Sequence, residues 1–250
     1  MAEAEQHATT RLVSRRPYLV SFSGIDGSGK TTQIDAVLAW LRNAGFRVRL
    51  LRFWDDIAVL GRLRETVSHT LFASEKGVGS PDRPVQRRDK NVRAWYMTAA
   101  RLFLYFLDAA RLAFVIATTS QRDAEVVVFD RYLYDELVNL DLGNSVAKAY
   151  ARVLLELIPR PDVAFLLDAD PVQARARKPE YPLDFLYSNR ASYLGLVALA
   201  DGITVVAPLG AEDVTGTILR QLAVALPQPL SGNLTPSAHL STDRIIESHQ

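Results

Sequence analysis

The chain has 250 residues, a net charge of +1 and no cysteine. This length suits one α/β domain with a substantial core. Interspersed acids and bases exclude the electrostatic footprint of a nucleic acid polymer binder, and the missing cysteines exclude disulfides, zinc ribbons and thiol nucleophiles. His7, His239 and His249 fall in segments that read as tails and His69 stands alone, so neither a histidine metal site nor a histidine base is expected.

Residues 1–17 read as a flexible N-terminal arm with no apolar leader. A short apolar, β-favouring run at 18–22 precedes a glycine-rich loop, and 31–43 places apolar residues at helical spacing, ended by Gly45. A second strand is expected at 47–53, although its arginines make it less apolar than a central parallel strand. A helix at 60–72 leads into a Gly-, Ser-, Pro- and charge-rich excursion at 73–89. A long helix follows at 91–121, then a buried type of strand at 125–130. Helical segments at 135–140 and 145–157 end before Pro159 and Pro161, which lead into a strand at 163–168. A helix at 171–177, a polar break at 178–183, a helix at 184–200, a strand at 202–207 and a helix at 212–226 complete the domain. The Pro-, Ser- and Thr-rich segment 227–250 reads as a disordered tail. Five strands alternating with helices give a three-layer α/β sandwich with a five-stranded parallel sheet, spanning 18–226. The most lipid-like window, 102–119, carries Asp108 and Arg111 in its middle. It is therefore expected to be a long, mostly buried helix of a cytoplasmic protein.

Gly24 to Thr31 reads GIDGSGKT, a complete Gly-x-x-x-x-Gly-Lys-Ser/Thr phosphate loop placed between a strand and a helix. In such a loop the glycines let successive backbone N–H groups and the helix N-terminus converge on a polyphosphate. Residues Gly24, Ile25, Asp26, Gly27, Ser28, Gly29, Lys30, Thr31 and Thr32 are thus the candidate ATP-binding set. Lys30 would reach the β- and γ-phosphates and Thr31 would place its hydroxyl on Mg²⁺. Together these features indicate a P-loop NTPase fold. Ligands of open parallel sheets gather at the carboxyl ends of the strands, where Asp130-Arg131-Tyr132 also falls. Asp130 would complete the Mg²⁺ shell with Thr31, and Arg131 offers a planar fork to a second phosphate.

FSGIDGSGKTTQ at 22–33, FDRY at 129–132 and ARARK at 174–178 resemble the phosphate loop, the Asp-Arg-Tyr motif and the basic lid of thymidylate kinases, in that order. DRYLYDELVNL and PRPDVAFLLDADP resemble a divergent subgroup of that family. The resemblance implies that Asp130 helps hold Mg²⁺ and that Arg131 grips an acceptor monophosphate. It further implies that Asp26 faces the acceptor and that Arg175 and Arg177, in a lid near 175–183, cover the donor phosphates. Arg52 and Arg111 are the remaining acceptor candidates, the latter one residue out of step with the family's base-contacting arginine. The chain departs from the family in carrying LRFWDD at 51–56, Leu107 where an aromatic residue is expected and Asn139 where a tyrosine often stands. Trp54, Trp95 and Tyr96 could line an acceptor pocket, but aromatics on helices are more often core, so they are left out of the site.

The reaction expected is Mg²⁺-dependent transfer of the ATP γ-phosphoryl group to a nucleoside monophosphate, dTMP being the first candidate, with Lys30, Arg131, Arg175 and Arg177 neutralising charge. Two other readings stay open. One is a kinase for a nucleoside or other hydroxyl acceptor, with Asp55 or Asp56 as base; the other is a non-catalytic nucleotide-binding regulator. Partners are expected to be small nucleotides rather than nucleic acid or membrane, and the apolar run 102–116 allows either a homodimer or ordinary core packing.

Overall fold

A computed structural model describes residues 16–59, 95–120 and 123–227. The expected helix at 60–72, the excursion at 73–89 and nearly all of both expected tails lie outside the described residues. The strands are β1 (Tyr18–Ser23), β2 (Val48–Arg52), β3 (Val126–Asp130), β4 (Val163–Leu167) and β5 (Ile203–Val206). All neighbours pair in parallel, in the order β2-β3-β1-β4-β5. The helices are α1 (Lys30–Asn43), α2 (Trp95–Thr118), α3 (Tyr134–Leu137), α4 (Ser145–Leu157), α5 (Pro171–Arg177), α6 (Leu183–Val197) and α7 (Ala211–Ala225).

Alternation along the strands divides the core between the two faces of the sheet. Val20, Phe22, Val126, Val128, Phe165 and Leu167 pack with α1 and α7, whereas Leu19, Val127, Phe129 and Leu166 pack with α2, α4 and α6. The central strands β1, β3 and β4 are almost continuously buried, as strands covered on both faces must be. β2 is an edge strand whose Arg49 and Arg52 point to solvent, which accounts for its mixed composition.

Several expected boundaries match within one to three residues, and α4 and α5 match throughout. Asn144 and Asp170 cap those two helices by accepting hydrogen bonds from the backbone N–H groups that open them. After β2 the chain does not stay extended but forms a π-helical turn, Phe53–Ile57. Phe53 and Ile57 are fully buried there, so the turn is fastened by its apolar ends. The fully buried Asp108 of α2 accepts a hydrogen bond of 2.6 Å from the Val59 backbone N–H. This acid therefore joins α2 to the chain leaving β2.

Candidate functional site

The phosphate loop crosses from the carboxyl end of β1 to α1. Its backbone is packed so closely that side chains are excluded: a Cβ on Gly24 would lie 2.5 Å from the Leu167 carbonyl oxygen. One on Gly27 would lie 2.2 Å from that of Ala174, and Gly27 also has φ of 82°. No side chain caps the N-terminus of α1, the arrangement that suits an anion there. Lys30 is 7% exposed and donates to the carbonyl oxygens of Gly24 at 2.7 Å and Ile25 at 2.8 Å. Burial, aided by the nearby Arg131, pushes its pKa down to about 8 against the opposing pull of Asp26, Asp135 and Asp130.

Arg131 follows β3 with φ of 70°, in the left-handed region. Its backbone N–H extends the ladder by donating to Phe22 O at 3.0 Å. Its guanidinium bonds Asp26 of the phosphate loop through Nη2 and Asp135 through Nη1, the latter at 3.1 Å. Burial alone would lower the arginine's pKa, but Asp135 and Asp26 overcome that and hold it above its ordinary value. Burial likewise favours a neutral Asp26, and Arg131, Lys30 and Lys178 outweigh it, so this carboxyl ionises more readily than usual. The register pairs Phe22 and Arg52 with Asp130 on either side, bringing all three to the carboxyl end of the sheet. Asp130, partly exposed, makes no side-chain hydrogen bond among the described residues.

The lid candidates sit over the same loop. Arg177 donates to the Gly27 carbonyl oxygen at 3.0 Å, and Lys178 lies 4.0 Å from Asp26. Arg175 is partly exposed on the last turn of α5. Arg111 is exposed on α2 and makes no hydrogen bond or ion pair with the phosphate-loop group among the described residues. Thr31 and Thr32 are exposed at the start of α1. Asp55 and Asp56 are both exposed, and Asp56 accepts from the Arg52 backbone N–H at 2.7 Å and so closes the π-helical turn. Trp54 departs from the core reading: it is 43% exposed. The side chains of Trp95 and Tyr96 lie outside the described residues.

A hydroxyl and a free carboxylate are hard oxygen donors that fit Mg²⁺, which keeps several waters and takes few protein ligands. Among the described residues no group of three or more His, Cys, Asp or Glu side chains that could hold a metal ion occurs.

A probable thymidylate kinase of Methanothermobacter thermautotrophicus is 30% identical over 209 residues, covering 82% of this chain and 93% of that protein. The chain belongs to the thymidylate kinase family. It is also 27% identical over 221 residues to a probable thymidylate kinase of Pyrococcus abyssi, covering 83% of this chain and 98% of the other. The solved thymidylate kinase of Candida albicans shares its fold, with a TM-score of 0.57 at 18% identity over 84% of this chain and 93% of that one. No family model matches the chain. As a thymidylate kinase-like enzyme the chain is a phosphotransferase of the nucleoside monophosphate kinase group. Among its described residues no helix is long and apolar enough to cross a membrane.

Sequence reading passed over two groups of this thymidylate kinase-like site. Asp135 lies four residues beyond Arg131 and binds it, and Arg190 of α6 holds Asp168, just after β4, through two bonds of 2.6 Å. The spacing of Arg131 and Asp135 was visible in the chain, but nothing local distinguishes it from a surface pair.

Proposed function

We propose that the enzyme transfers the γ-phosphoryl group of ATP to a nucleoside monophosphate, with dTMP as the first acceptor to test. The observation that carries this reading is the contact between Arg131 and Asp26. It brings a guanidinium at the end of β3 against the donor-phosphate loop, so that donor and acceptor phosphates would lie side by side. Lys30 would exchange its two loop carbonyls for phosphate oxygens. The N-terminus of α1 and the backbone from Gly24 to Thr32 would cradle the donor, and Arg177 and Arg175 would cover it as part of a lid spanning 175–183. Thr31 and Asp130 would hold Mg²⁺, which would supply charge neutralisation for the donor phosphates. Arg131, shared with Asp26, would take the acceptor phosphate. Arg52 and the exposed Trp54 flank the acceptor side, and Arg111 remains an outlying candidate.

An acceptor that is already a phosphate needs no strong base. A hydroxyl acceptor does, and of its two candidates, Asp55 and Asp56, the latter has one oxygen engaged by the Arg52 backbone N–H; the Arg131 guanidinium at the phosphate loop favours the monophosphate. Lys30, Arg131 and Arg177 all bond to the phosphate loop, which favours catalysis over a purely regulatory role. A small nucleotide substrate and a cytoplasmic location accord with this reading. We further propose a homodimer: Phe103, Phe106 and Phe114, exposed at 61%, 44% and 67%, line the side of α2 away from its core.

Replacing Arg131 by Ala tests the assignment. The expected outcome is a rise in KM for the acceptor of about a hundredfold, with KM for ATP little changed. A loss confined to ATP affinity would contradict it.

A further inference from the structure

One buried carboxylate has no part in the chemistry described above. The Asp135 side chain is 1% exposed, yet it accepts four hydrogen bonds from three separate parts of the chain. Its Oδ2 receives the Ser23 hydroxyl at 2.6 Å and the Tyr132 backbone N–H at 3.1 Å. Its Oδ1 receives Arg131 Nη1 at 3.1 Å and the Tyr193 hydroxyl at 2.7 Å. Ser23 ends β1, Arg131 and Tyr132 follow β3, and Tyr193 stands on α6.

A carboxylate this deep is costly unless fully paired, and an apolar side chain would fill the space at lower cost. Arg131 is the one cation among its hydrogen-bond partners. The same carboxylate also holds the N–H of the residue after Arg131, where the backbone carries its left-handed strain. One oxygen thus fixes the turn and the other aims the guanidinium. With Nη1 tied to Asp135, Nη2 is presented to Asp26 and the phosphate loop. Tyr193 keeps its proton because burial first, and then the charge of Asp135, push its pKa well up, so it remains a donor to Oδ1.

We propose that Asp135, braced by Tyr193, is a positioning residue that fixes the Arg131 guanidinium beside the phosphate loop and so makes α6 part of the acceptor site. The kinetic consequence rests on the reading of Arg131 as the acceptor-phosphate ligand, whereas the orientation of the guanidinium does not.

The test uses the full chain with Tyr193→Phe, which deletes one hydroxyl, and Asp135→Asn. Two readouts are taken, steady-state kinetics with dTMP and ATP, and the side-chain ¹⁵N–¹H signals of Arg131 in the nucleotide-free protein, assigned through Arg131→Lys. In the parent protein the tied guanidinium gives separate Nη signals. Tyr193→Phe is expected to draw them together and to raise KM for dTMP by about tenfold, with KM for ATP within about twofold. Asp135→Asn is expected to do both more strongly. Folded Tyr193→Phe and Asp135→Asn proteins that lose only melting temperature, with the Nη signals and KM for dTMP unmoved, would overturn the proposal. If the parent protein phosphorylates no nucleoside monophosphate, the functional reading fails, and the Nη signals alone then decide whether Asp135 positions Arg131.

Discussion

Lys30 is held in the protein against its own solvation. Burial, and secondarily Arg131, bring its pKa from 10.5 down to about 8. A lysine with a depressed folded pKa costs stability while it is charged, and that cost is relieved as the pH rises from the folded value towards the unfolded one. Urea titrations of the parent and Lys30→Met proteins should therefore show the difference in unfolding free energy moving in favour of the parent, by about 3 kcal/mol, between pH 8 and pH 10.5. A difference that does not vary with pH would mean that Lys30 is not desolvated. Turnover by Lys30→Met should fall by about a hundredfold or more. The charge on Asp26, unlike that on Lys30, favours the fold, and its lowered pKa gives stability that is complete above 3.8 and lost as the pH falls through the folded value. The parent and Asp26→Asn should accordingly converge in stability in acid. The phosphate loop was legible because its specified residues lie within eight consecutive positions. Asp135 was not, because its donors come from as far as 112 residues away and its burial exists only once β1, β3 and α6 are assembled. Trp54 was misplaced because a π-helical turn, unlike a regular helix or strand, leaves no period in the sequence from which to assign its buried side.

At the scale of elements, the buried strands were legible because they read as short, nearly unbroken apolar runs, and α4 and α5 because an Asn and an Asp stand at their caps. The arginines of β2 show why composition alone leaves an element's place in the sheet undecided: they are tolerated because β2 is an edge. The phosphate loop and α5 fit together through bare backbone, with Gly27 facing the Ala174 carbonyl and Arg177 bonded back to Gly27. Gly27→Ala would meet both the steric contact and the positive φ. It should lower stability by at least about 2 kcal/mol and move α5 off the loop. Denaturant unfolding with a nucleotide-binding assay measures both. A variant with the stability and ATP affinity of the parent would mean that α5 does not sit on the loop.

At the scale of the molecule, strand order is not written along the chain. β1 leads to β2 at one edge, β3 returns to pair with β1, and β4 and β5 continue to the other side, so the order reverses beside β1. That reversal opens the crevice in which the phosphate loop, Asp130 and Arg131 meet. The same assembly leaves Phe103, Phe106 and Phe114 outside, which periodicity placed on a helix without saying what would cover them. If a second copy covers them, Phe114→Asp should halve the mass measured by sedimentation and change monomer stability by less than about 0.5 kcal/mol. An unchanged mass would remove α2 from the interface. In the proposed reaction Lys30 and Arg131 bring two phosphates together for transfer. Its most direct test follows ADP formation from Mg·ATP with a panel of ribo- and deoxyribonucleoside monophosphates, nucleosides and small hydroxylated metabolites, using the parent and Lys30→Ala proteins. A monophosphate, dTMP first among them, should stimulate ADP formation in the parent and not in Lys30→Ala. Stimulation by an uncharged hydroxyl compound alone, or stimulation that survives Lys30→Ala, would contradict it.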